Sequence, residues 1–120
     1  MSDLSLWDSE YKFMCVVWES APVNSGALVE LCKERLGWKK STTYNAIRKM
    51  SEKGLIKNEN AVVSVLVPKE QVQANESESF VERTFDGSLP SFLASFLGGK
   101  TISESEASFL TALINSHKEE

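Results

Sequence analysis

Residues 38–57 read WKKSTTYNAIRKMSEKGLIK. Two lysines, three consecutive hydroxyls, a tyrosine and an asparagine precede Arg48 and Lys49 within this one stretch. Such groups suit one chemistry above others. Ammonium and guanidinium groups neutralise phosphate, while short hydroxyl and amide side chains hydrogen-bond to base edges. The candidate contacts to double-stranded DNA are therefore Lys39, Lys40, Ser41, Thr42, Tyr44, Asn45, Arg48 and Lys49.

Other chemistries find little to work with. The single histidine, His117, stands in the polar run Asn115-Ser116-His117-Lys118, and neither a nucleophile–base pair nor a glycine-rich phosphate loop accompanies it. No catalytic residue is nominated, and the chain is expected not to be an enzyme. Cys15 and Cys32 both fall on apolar helical stripes, which favours two buried thiols over a disulfide or redox pair. One histidine and no cysteine cluster leave no expected metal site and no expected cofactor.

The basic island is a local property of an acidic chain. The net charge of the 120 residues is −4, yet residues 33–57 hold eight Lys/Arg against two Glu, and residues 69–120 hold four Lys/Arg against nine Asp/Glu. Overall charge is thus a poor guide to the partner. The length suits one domain, or a small domain with an appended element, and can bury a real core. No run approaches the roughly eighteen apolar residues that cross a bilayer, so no membrane insertion is expected. The opening MSDLSLWDSE lacks a basic start and an apolar h-region, and a cytoplasmic location is expected.

Helical periodicity supplies the elements that must hold the basic stretch. Ser5 and Asp8 have capping-box spacing, and Trp7, Tyr11, Met14, Cys15 and Trp18 recur as one stripe, which predicts a helix over residues 6–19. Ala21-Pro22 breaks it. Asn24-Ser25 then caps a second helix with Leu28, Leu31, Cys32 and Leu36 inward and Gly37 at its end. Ser41 is the expected N-cap of a third helix that runs to about Lys53, with Thr43, Ala46, Ile47 and Met50 inward and Gly54 just beyond. Leu55 to Lys57 and Ala61 to Val67 read as strands of a hairpin around Asn58-Glu59-Asn60, stopped by Pro68. This order is the plan of a winged helix-turn-helix. With its inward positions assigned, the third helix turns Thr42, Tyr44, Asn45, Arg48 and Lys49 outward.

The remainder is helical and apolar on one side. Residues 69–85 form a polar helix anchored by Val72, Phe80, Val81 and Phe85. Leu89, Phe92, Leu93, Phe96 and Leu97 mark a short helix ended by Gly98-Gly99, and Ser103 with Glu106 opens a last helix bearing Ala107, Leu110, Leu113 and Ile114. A small winged domain cannot cover all these stripes. The expected solution is a homodimer through Phe80, Phe85, Leu89, Phe92, Leu93, Phe96, Leu97, Leu110, Leu113 and Ile114, with an intrachain cap as the alternative. The expected fold class is mostly α: a winged helix-turn-helix with a small two-stranded wing over residues 1–68, plus a three-helix dimerisation region over residues 69–120.

From about Leu4 to Ile114 the chain resembles the BlaI/MecI penicillinase repressors and the related copper-responsive CopY repressors. The carriers are Leu6-Trp7-Asp8-Ser9-Glu10 through Val17-Trp18-Glu19, Ser41-Thr42-Thr43-Tyr44, and Arg48-Lys49-Met50-Ser51-Glu52-Lys53-Gly54-Leu55-Ile56, which is similar to the family ending R-L-x-x-K-G-L. The resemblance implies a dimeric winged-helix repressor of transcription whose recognition helix supplies Ser41, Thr42, Tyr44, Asn45, Arg48 and Lys49. Tyr44 and Asn45 depart from the Arg or Thr common in the family, and Asn58-Glu59-Asn60 lacks its wing-tip arginines. The resemblance also implies release by cutting in the dimer domain, with a membrane sensor protease as partner. The matching bond here is Ser95–Phe96, where the family's Asn is replaced and its Phe is kept. The Cys-x-Cys motifs of the copper-responsive branch are missing. Two other classes remain as alternatives: a winged-helix module that binds an acidic protein partner, and an enzyme.

Overall fold

The computed structural model describes residues 4–119; residues 1–3 and residue 120, at the ends of the two expected domains, lie outside the described residues. The elements follow in the order α1 (Asp8–Ser20), β1 (Val23–Asn24), α2 (Ser25–Leu36), α3 (Lys40–Glu52), β2 (Ile56–Glu59), β3 (Val62–Val65), α4 (Lys69–Phe85), α5 (Leu89–Leu97) and α6 (Glu104–Ser116). The chain is mostly α, with a winged helix-turn-helix from α1 to β3. Two compact units divide within α4, the first ending at Phe80 and the second beginning at Val81.

The core of the first unit draws on every element of the winged helix. Phe13, Met14 and Val17 of α1, Leu28 and Cys32 of α2, Ile47 and Met50 of α3, Leu55, Ile56, Val63 and Val72 form one buried cluster. The expected α1 stripe is therefore rotated. Only Met14 of the predicted set is buried; Tyr11, Cys15 and Trp18 are half-buried and Trp7 is exposed. Polar ends hold two of these rings at the edge of the core: the Trp18 indole N–H donates to the Val67 carbonyl at 3.0 Å, and the Tyr11 hydroxyl accepts from Gln73 Nε2 at 3.3 Å.

Two helix starts differ from expectation, each by a packing contact that outweighs a cap. Trp7, not Ser5, is the N-cap of α1. The preceding residues are drawn out as a strap because Leu4 is buried in the core, a gain of about 1.5–3 kcal/mol against about 1 kcal/mol for a hydroxyl cap. The strap is fixed by Leu6 N–H to Glu76 Oε1 at 2.9 Å and by Lys53 Nζ to the Ser5 carbonyl at 3.1 Å. Glu10 Oε1 joins the two ends, accepting from Trp7 N–H at 2.8 Å and from Lys53 at 3.3 Å. Likewise α3 is capped by Lys39 rather than Ser41. Trp38 stacks on Phe13 with ring centroids 5.8 Å apart and planes 5° from parallel, so the chain re-enters a helix directly after it.

The wing also differs in register. The turn is Asn60-Ala61, with φ of 51° and 62°, closed by the Glu59–Val62 pair; Asn58 and Glu59 belong to β2. A two-residue turn with both φ positive matches the twist of a hairpin, and that geometry prevails over the poor fit of alanine to it. The hairpin is joined by a third strand: β1 pairs with β3 through Val23–Val63 and Asn24–Val62, giving the order β1-β3-β2. The Ala61 carbonyl in turn accepts the Ser25 N–H at the start of α2, 2.8 Å away.

Both cysteines are free thiols, Cys15 half-buried and Cys32 buried. Burial pushes the Cys32 thiol up, while the Thr43 hydroxyl and the Arg35 charge act in the opposite direction.

Candidate nucleic-acid interface

The face that α3 presents is set by what its other face does. Thr43, Ile47 and Met50 are buried and Ala46 is half-buried, as the spacing predicts. The same turns therefore carry Ser41, Thr42, Tyr44, Asn45, Arg48 and Lys49 outward, and all six are exposed, as are Lys39 and Lys40 before them. The eight candidate contacts thus form one continuous surface over about three turns.

Its electrostatics run along the helix. No side chain caps the N-terminus of α3, so first-turn N–H groups, flanked by Lys39 and Lys40, remain available to an anion. Lys40 Nζ stands 6.0 Å from the centroid of the Tyr44 ring, at the outer limit of a cation–π contact. Farther on, Arg48 pairs with Glu52 one turn later at 3.2 Å, with both side chains more than half exposed. A pair so well solvated holds its partners loosely, and Arg48 is free to exchange Glu52 for a phosphate.

At the wing, Lys57 pairs with Glu59 at 3.4 Å. The tip itself, Asn60-Ala61, carries no charge. Beside α3, a shallow groove is lined by Trp7, Ser9 and Glu10 of the α1 start and by Trp38, Thr42, Asn45 and Lys49. The contribution of the strap to this surface was not legible in advance. Its signals were the Glu10 carboxylate three residues after Trp7 and a lysine at the very end of α3, and only the fold joins them.

The second unit carries the remaining candidates. Ser88 and Ser103 cap α5 and α6, accepting from Ser91 N–H and Glu106 N–H at 3.1 Å each. Neither helix buries a single residue. Leu89, Leu93, Phe96 and Leu97 of α5 and Leu110, Leu113 and Ile114 of α6 are exposed, whereas Phe85 and Phe92 are half-buried against each other, edge to face at 5.6 Å. Phe80, the last residue of the first unit, is exposed. Ser95 and Phe96 lie exposed in the last turn of α5, where Lys100 Nζ donates to the Phe96 carbonyl at 2.7 Å and sits 4.7 Å from its ring centroid.

Among the described residues, no group of three or more His, Cys, Asp or Glu is placed to hold a metal ion, and no helix is long and apolar enough to cross a membrane.

A family model described as penicillinase repressor matches residues 6–116. The penicillinase repressor of Bacillus licheniformis is 23% identical over 116 residues, covering 92% of this chain and 90% of that protein. An uncharacterised 16.5 kDa protein from the ptsI 3' region of Latilactobacillus sakei is 26% identical over 110 residues, covering 88% of this chain and 75% of its own length.

Proposed function

The chain belongs to the penicillinase repressor family of transcriptional regulators, and from that premise we propose that it is a homodimeric repressor that occupies a palindromic operator. In this reading α3 enters the major groove. Lys39, Lys40, Arg48 and Lys49 neutralise phosphates, and Ser41, Thr42, Tyr44 and Asn45 address the bases and the adjoining backbone. One observation carries it: all eight side chains are exposed on a helix whose opposite face is locked into the core.

The uncovered apolar faces of α5 and α6 support the dimer, with residues 69–120 as the dimerising region. A two-fold-symmetric pair sets two copies of α3 about one turn of duplex apart. Release of the operator follows a cut at the exposed Ser95–Phe96 bond by a membrane sensor protease, which would remove α6 and with it part of the paired surface.

Footprinting on the DNA upstream of the coding sequence tests the reading. Two protected half-sites about 10 base pairs apart, centre to centre, are expected. Replacing Arg48 and Lys49 together with Ala abolishes protection while the melting temperature stays unchanged. Protection retained by that variant overturns the assignment of α3.

A further inference from the structure

We propose that Trp7 is a further DNA-contacting residue, whose indole lies against the sugar–phosphate backbone beside the groove entered by α3. The inference rests on the reading above and extends the contact surface from α3 on to the start of α1.

Trp7 is 77% exposed, more than any other large apolar side chain among the described residues. Its backbone, however, is held firmly. Its N–H donates to Glu10 Oε1 at 2.8 Å, its carbonyl accepts from Tyr11 N–H at 2.9 Å, and Leu6 just before it is fixed to Glu76. The point from which the ring leaves the chain is therefore fixed. It also occupies an N-cap, where Ser, Thr, Asp or Asn would stabilise the helix, and its side chain accepts no cap hydrogen bond. Trp7 therefore departs from local helix preference while leaving a large aromatic ring in solvent, a departure that contact with a ligand would offset.

The surroundings select the ligand. Trp7 shares its shallow groove with Thr42, Asn45 and Lys49, the side of α3 that adjoins the proposed base contacts. An indole offers an apolar face for deoxyribose and one N–H donor for a phosphate oxygen, and Lys49 adds a cation within the same groove. The nearby carboxylates do not oppose a polyanion in full: Asp8 pairs with Lys12 at 3.2 Å and Glu10 with Lys53 at 3.3 Å.

Backbone contact is independent of sequence, so a labelled random-sequence duplex at low salt is a sufficient probe. Fluorescence anisotropy with the full chain is expected to show Trp7→Ala binding about five- to tenfold more weakly than wild type, and Trp7→Phe about two- to threefold more weakly. Melting temperatures stay unchanged in both. The duplex should also shield the wild type from quenching by neutral acrylamide, and Trp7→Phe should lose the larger part of that shielding, with Trp38, which lines the same groove, accounting for the remainder. Affinity of Trp7→Ala within twofold of wild type, in an assay where Arg48→Ala with Lys49→Ala loses binding, overturns the inference and leaves the repressor reading intact. Shielding in Trp7→Phe equal to that of the wild type overturns it as well. A wild type that binds no duplex at low salt removes both.

Discussion

In the first unit, Phe13 and Met14 of α1, Leu28 of α2, Met50 of α3 and Val63 of β3 meet with no exposure at all. In the second, α5 and α6 carry apolar stripes of equal regularity and bury nothing. On paper the stripes look alike: both recur at helical spacing, and both are framed by good caps. What separates them is the number of elements that converge. Four segments and a hairpin close around the first core, whereas two short helices and the end of α4 cannot enclose anything. A stripe in the first unit is thus a folding instruction, whereas a stripe in the second stays at the surface. The repressor reading assigns it to a second copy of the chain.

The contrast can be broken most forcefully in the first unit. Phe13→Ala removes a ring that is fully buried and stacked on Trp38, and is expected to cost about 3–5 kcal/mol in urea unfolding, a large share of a typical domain's stability. The matching change in the second unit acts elsewhere. Leu113→Glu, at a side chain already 46% exposed, should leave the urea transition of an isolated subunit nearly unchanged but raise the dimer dissociation constant at least about tenfold by sedimentation equilibrium. A dimer unaffected by that substitution would mean that α6 lies outside the interface.

Smaller effects sharpen the first unit's boundary. Ala61→Gly relieves a φ of 62° in the wing turn and is expected to stabilise by about 1 kcal/mol, seen as a higher melting temperature. Glu52→Gln removes an exposed partner of Arg48, so stability should change by less than about 0.5 kcal/mol, while affinity for duplex rises and its dependence on salt steepens.

The sequence made some of these features legible and hid others for identifiable reasons. The inward set Thr43, Ile47 and Met50 was legible because one helical period reports one face, and the outward candidates followed from it by subtraction. The helix starts were not, since Ser5 and Ser41 are good caps locally and only the docking of Leu4 and the stacking of Trp38 displace them. The apolar mass of Trp7, Tyr11 and Trp18 predicts core positions, but the buried face of α1 holds Phe13, Val16 and Val17 beside Met14, which leave no polar group to satisfy. The two-residue strand β1 gave no signal, because its existence depends on Val63 forty positions later. Alanine at a positive φ misplaced the wing turn for the opposite reason: there the residue contradicts the conformation it adopts.

The hydrogen bond from Ser25 N–H to the Ala61 carbonyl joins the first amide of α2 to the turn of the wing. Most amides in a helix lose their acceptor only when that helix frays. This one loses it when the hairpin swings away, and Ser25 is itself buried beneath the contact. Its hydrogen-exchange rate therefore serves as a single-site gauge of how often the wing opens, read without any label on the wing and without any DNA present.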